Sequence, residues 1–169
     1  MDIQFYGANC VAIATNKVRV VVDDNLVDLG AKSVTKQGDI ALFTSVHGAP
    51  QQETKMVIDC PGEYETSDVS IYGIPVRAHI DEAKQKNNTM YKIIAHDVRV
   101  LVLGHVYPEL SENQLESIGT VDVLVVPVGG NGFTLDPTSA TTLIKEIEPK
   151  LVIPVYYDDA SLKFPVPAQ

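Results

Sequence analysis

The chain has 169 residues, 45% of them hydrophobic and 21% charged, which fits a single domain, 1–169, with a core that needs no disulfide or metal staple. Its formal net charge of −9 argues against a nucleic-acid partner, because a phosphate backbone would be repelled unless a local basic patch overrode the total. Cys10 and Cys60 are the only cysteines, so neither a Cys-x-x-Cys metal pair nor a disulfide framework can form, and both are expected as buried free thiols.

The start, Met1-Asp2-Ile3-Gln4, lacks the basic segment and apolar run of a secretory signal. Residues 3–6, 10–14 and 18–22 are rich in β-branched and aromatic side chains and are broken by Gly7-Ala8-Asn9 and Asn16-Lys17, as in an antiparallel meander. Residues 39–43, 56–58, 69–74, 76–79 and 89–95 continue the β pattern, and His96-Asp97 reads as a tight turn into 98–103. The lysines of 84–92 lie among Gln and Asn and read as a solvated loop rather than a nucleic-acid patch.

Helical signals begin after residue 103. Ser111 with Gln114 makes a capping box, Leu110 and Leu115 can close a hydrophobic staple, and Gly119 supplies the stop. Asp136-Pro137 opens a second helix whose Ala140, Leu143, Ile144 and Ile147 share one face, and Pro149 ends it. Residues 121–126 and 151–155 are continuous apolar runs, as expected of strands covered on both faces. The most apolar stretch, 121–128, is too short to cross a bilayer, so a cytoplasmic protein with no membrane partner is expected. Gly129-Gly130-Asn131-Gly132 is either a plain turn or a backbone cradle for an anion, and 164–169 reads as an extended tail. A meander followed by β-α-β-α-β predicts two packed sheets with helices outside, an α/β (α+β) architecture, rather than one doubly wound sheet.

This order of segments resembles the metallo-β-lactamase superfamily, in particular the small hydrolases related to ascorbate-6-phosphate lactonase. Gly7-Ala8-Asn9-Cys10 is similar to the family's opening Gly-His-Ser-Cys, and Val21-Val22-Asp23 to the strand that ends in a structural Asp. Cys60-Pro61-Gly62-Glu63-Tyr64-Glu65 is similar to its Pro-Gly-Glu-Tyr-Glu run, and the stretches from Val121 to Gly130 and from Leu151 to Tyr157 match two later segments. The resemblance implies a four-layer αββα sandwich with metals at the rim between its halves. Relatives commonly continue beyond the last of these segments, so an outer layer shortened at the C terminus, with self-association over the exposed surface, is a further expectation.

The ligand positions implied by the resemblance are mostly changed. The family's His-x-His-x-Asp-His cluster falls on Ser45, Val46, His47, Gly48, Ala49 and Pro50, so only His47 keeps a donor of the expected kind. A later family His corresponds to His79, the bridging Asp to His105, the last His to Tyr156, and the supporting Asp23 is kept. Too few lone pairs remain to hold two metals and the hydroxide between them. The expectation is therefore a non-catalytic member of the fold with no catalytic residue and no cofactor, kept for assembly or for binding a small molecule of unknown identity. The alternative is one Zn2+ on His47, His79 and His105, acting on a phosphodiester or lactone. Glu63 and Glu65 could mimic a catalytic carboxylate pair, but no aromatic sugar platform accompanies them, and a structural role is expected; His96 is expected in solvent.

Overall fold

Five short strands from the first third of the chain form one sheet in the order β1-β2-β3-β4-β5: Asp2–Gly7 (β1), Cys10–Ala14 (β2), Arg19–Val22 (β3), Ile40–Leu42 (β4) and Met56–Ile58 (β5). A second sheet of six strands runs β11-β10-β9-β8-β7-β6, built from Gly62–Thr66 (β6), Val69–Val76 (β7), Asn88–Ala95 (β8), Val98–Val102 (β9), Val123–Pro127 (β10) and Leu151–Val155 (β11). These come from a computed structural model that describes residues 1–45, 49–66 and 68–168.

The expected meander is present in β1, β2 and β3, which pair antiparallel, but β3, β4 and β5 are parallel neighbours. Parallel neighbours require the chain to cross back. The described residues of these crossings form loops instead of helices, and the first crossing is fixed by Asp24. Its Oδ2 accepts from the Ser33 and Thr35 hydroxyls and from the backbone N–H groups of Val34 and Thr35. Burial pulls this carboxyl upward, yet the donors together hold it below the usual carboxylate range. The two runs expected at 69–74 and 76–79 are one strand, β7, ending at Val76. Pro75 is tolerated because it lies beyond the last pairing with β6, where β7 has only β8 beside it.

The sheets pack face to face over Val11, Ile13, Val20, Val22, Ile40 and Leu42 on one side and Ile71, Ile93, Val100, Val102 and Val125 on the other. Tyr91 of β8 ties the two layers together, its hydroxyl donating to Phe43 O at 3.0 Å and Ile58 O at 3.3 Å. Burial pushes that phenol far above its ordinary range.

Both helices cover the outer face of the six-stranded sheet. Helix α1 (Glu112–Ile118) starts on the Ser111–Gln114 capping box and stops at Gly119; α2 (Pro137–Ile147) starts on Asp136, whose carboxylate accepts from Ser139 N. Ala140, Leu143 and Ile147 bury against Leu101, Leu124 and Val126. The outer face of the five-stranded sheet is different. Cys10, Ala12 and Val21 are covered there by Leu26, Ala31 and Val34 from the crossing loop and by Leu162. That layer is loop rather than helix. Among the described residues no helix is long and apolar enough to cross a membrane.

Candidate functional site

Strands β9, β10 and β11 are parallel, and their carboxyl ends lie with those of β3 and β4 at one end of the sandwich. Open sheets bind ligands at such ends, where the chain leaves each strand. Three exits carry non-glycine residues in the left-handed region: Ala8 (φ 48°), Asp23 (φ 52°) and Tyr156 (φ 55°). Such backbone costs energy for most side chains and is held only by its surroundings. Tyr156 N–H donates to Ala8 O at 2.8 Å, closing β11 onto the first turn. Between these exits lies a cavity of about 180 Å3 whose walls include Asn9, Asp23, Thr44, Ser45, His105, Phe133, Tyr156 and Pro165.

Asp23 is 5% exposed, and its two oxygens accept from Thr44 N and Thr44 Oγ1, each at 2.7 Å. Burial raises its pKa to about 6, against the downward pull of the Thr44 bonds. Gly104 makes this arrangement possible. With φ +64°, it lies so close to Thr44 that an added Cβ would come within 2.5 Å of the hydroxyl.

His105 follows Gly104, and its Nε2 accepts from Asn9 Nδ2 at 2.9 Å, a bond that places the imidazole proton on Nδ1. Burial, then the neighbouring His79, lowers its pKa to about 4, so the ring is neutral at physiological pH. The ring packs edge-on against Tyr156 at 4.6 Å and Phe133 at 4.7 Å. Burial pushes the Tyr156 phenol up to about 12. Asn9 Oδ1 and His105 Nδ1 are buried without a hydrogen-bond partner.

Of the residues singled out from sequence, Asp23, Ser45, His105 and Tyr156 meet on this cavity. His79 lies beside it: its backbone N–H donates to His105 O at 2.8 Å and its Nδ1 is buried without a partner. His47 lies outside the described residues. Glu63 and Glu65 are exposed on β6, and so is Cys60 just before it, so of the two thiols expected in the interior only Cys10 is buried. The glycine loop makes a turn: Gly130 N–H donates to Leu135 O, while Gly130 O accepts from the N–H groups of Phe133 and Thr134. His96 is half-exposed, with Nε2 at 3.5 Å from Asp68 Oδ2.

Asn9, Thr44 and Phe133 were not recognised as site residues from sequence. A turn residue, a strand-end threonine and an aromatic beside glycines carry no chemistry of their own until the fold gathers them.

The family's metals can be tested against these side chains. Among the described residues no group of three or more His, Cys, Asp or Glu could hold an ion. Only one carboxylate and one imidazole of that kind line the cavity among the described residues, Asp23 bonded to Thr44 and His105 bonded through Nε2 to Asn9. A binuclear centre does not fit this set.

Residues 2–156 match the family described as the beta-lactamase superfamily domain. The fold is that of a solved structure of a proposed zinc-dependent hydrolase of the metallo-β-lactamase superfamily from Thermotoga maritima, with a TM-score of 0.74, 24% identity, and 98% of this chain and 80% of that one covered. The chain belongs to the metallo-β-lactamase superfamily. A second solved structure, a proposed metal-dependent hydrolase from Parabacteroides distasonis, has the same fold at a TM-score of 0.73 and 16% identity, covering 94% of this chain and 83% of that one. Among sequences, a UPF0173 protein of Pyrococcus abyssi is 25% identical over 93% of this chain and 83% of its own length. A UPF0173 metal-dependent hydrolase of Carboxydothermus hydrogenoformans is 43% identical over 26% of this chain and 19% of its own length.

Proposed function

We propose that this superfamily member is non-catalytic and that its cleft is kept for binding. The observation that carries the reading is the fate of the cleft's lone pairs. Metal-assisted hydrolysis needs carboxylates and imidazoles free to bind cations and to generate a metal-bound hydroxide. Here, among the described residues, the cavity wall carries one carboxylate, Asp23, and one imidazole, His105, whose Nε2 is engaged by Asn9, and a phenol with raised pKa, Tyr156, stands beside them.

Protein purified without chelator should turn over neither a phosphodiester, a lactone nor a β-lactam, with or without added zinc, manganese or iron. Turnover that disappears on His47→Ala substitution would overturn the reading.

A second reading has its own support. His79 and His105 are neighbours, and His79 Nδ1 is buried without a partner, while His105 would have to give up its bond from Asn9 or the proton on its Nδ1. With His47 they would supply three imidazoles to one zinc ion, which would act as a Lewis acid and lower the pKa of a bound water. Its relatives' names as metal-dependent hydrolases agree with that. One equivalent of zinc, lost on His105→Ala, is the result that favours it.

The assembly arm of the first reading is self-association at the β11 edge, where Leu151 is 55% exposed and Tyr157 is also open to solvent. A strictly monomeric species by light scattering across concentration removes that arm.

A further inference from the structure

The cleft is electrostatically incomplete in one direction. Asp23 is the sole Asp or Glu on its wall, and no lysine or arginine lines the cavity among the described residues. A buried carboxylate ordinarily has a cationic partner or several donors; this one has Thr44 alone, and each of its oxygens keeps a lone pair after accepting one bond. Asn9 adds a second open acceptor. It is 5% exposed, it lines the same cavity, and its Oδ1 has no partner. One acceptor only partly satisfied and another without any donor call for a ligand that donates.

The remaining walls narrow the class. Phe133 and Tyr156 stack at 5.8 Å between centroids, with the neutral His105 ring against both. Aromatic walls beside a carboxylate attract organic cations, whose positive charge interacts with the ring faces while their carbon atoms stay out of water. A cavity of about 180 Å3 admits a small organic ligand.

We propose that this cavity binds a small primary or secondary alkylammonium, with Asp23 as its counter-ion, Asn9 Oδ1 accepting an N–H bond, and Phe133 and Tyr156 as its apolar walls. The assignment rests on the non-catalytic binding reading and names the ligand class for it. It differs from a metal site in using the cleft's hydrogen-bonded state as it stands. Asp23 keeps both Thr44 bonds, and Asn9 keeps its bond to His105.

The test is calorimetric titration with n-butylammonium chloride near pH 7.5, with n-butanol as the uncharged control of the same shape. The expected result is saturable one-to-one binding of butylammonium, at least tenfold tighter than butanol. Asp23→Asn is the chosen variant because an amide can accept from Thr44 N–H and donate to Thr44 Oγ1, and Asn tolerates the left-handed backbone at this position. It should weaken butylammonium at least tenfold and leave butanol unchanged, and Phe133→Leu should weaken butylammonium several-fold. Equal binding of butanol, absence of saturable butylammonium binding, or affinity indifferent to Asp23→Asn overturns the assignment. Hydrolysis assayed on the same protein separates the two ideas. Failure to bind butylammonium without any turnover removes the ligand class alone, whereas metal-dependent turnover removes the non-catalytic reading beneath it.

Discussion

The amino and carboxyl ends of β9, β10 and β11 place charged and polar groups in opposite circumstances. At the amino ends, Asp122 accepts from the Arg99 guanidinium at 2.7 and 3.1 Å, from Arg99 N–H at 2.9 Å and from Lys150 Nζ at 2.7 Å. The Arg99 bonds, then Lys150, hold that carboxyl far below the usual range. At the carboxyl ends, Asp23 has no lysine or arginine beside it among the described residues, and Asn9 and His105 each bury an atom without a partner. A carboxylate saturated with cations at the surface is a finished structural joint. One buried beside open acceptors and aromatic rings is a place where something else completes the bonding.

Substitutions at the two ends should separate these roles. The largest effect is expected from Gly104→Ala, which would force an alanine to φ +64° with its Cβ against the Thr44 hydroxyl. Left-handed strain and overpacking together cost roughly 3 to 4 kcal/mol, read as a lower urea midpoint at unchanged slope. A loss under about 1 kcal/mol would mean that the cleft relaxes freely.

Next comes the pH dependence of stability, where Asp23 and His105 oppose each other. The His105 pKa falls from 6.5 to about 4 on folding. As pH drops through that window the unfolded chain takes up a proton that the folded chain refuses, and about 3 kcal/mol of stability is lost. Asp23 rises from 3.8 to about 6. Its contribution is fully present below 3.8 and is lost as pH rises through about 6, so acidification returns about 3 kcal/mol over nearly the same range. The two nearly cancel in the native protein. Relative to it, Asp23→Asn should lose stability on acidification from pH 6.5 to 4, and His105→Gln should gain it; parallel curves for all three proteins would refute the opposition.

A smaller effect is expected for Tyr91→Phe, which leaves Phe43 O without its buried donor while Ile58 O still accepts from Phe43 N–H. The expected loss is about 1 kcal/mol by denaturant titration, without change in cleft binding. The smallest belongs to Asp122→Asn at the opposite end. Its effect on Tm should fall below that of every cleft variant and fade in high salt, as befits partly exposed charges.

The elements that were legible in the sequence are those set by short-range rules. The Ser111–Gln114 box, the Asp136-Pro137 start and the spacing of Ala140, Leu143 and Ile147 specify two helices within a few residues each, and the structure has both. His96 and Asp97 both adopt positive φ between β8 and β9, as a tight hairpin turn demands. Parallel pairing of β3, β4 and β5 was not legible, because the crossings are loops without periodicity. The cleft was legible in part. Asp23, Ser45, His105 and Tyr156 could be named from the family resemblance, but Asn9 meets His105 across 96 residues of chain, and no local pattern encodes that bond.

By itself, then, the sequence determined most of the strands and both helices, though not β6 as a strand, and by resemblance it named the positions where metal donors would be sought. Those properties follow from side-chain chemistry and from spacing along the chain. Tertiary structure alone decided how the remaining polar groups are spent: Thr44 on Asp23, Asn9 on His105, and an acceptor left open beside two aromatic rings. Hydrogen bonding and desolvation depend on distance in space, and the strand ends that carry these groups come together only when the two sheets pack.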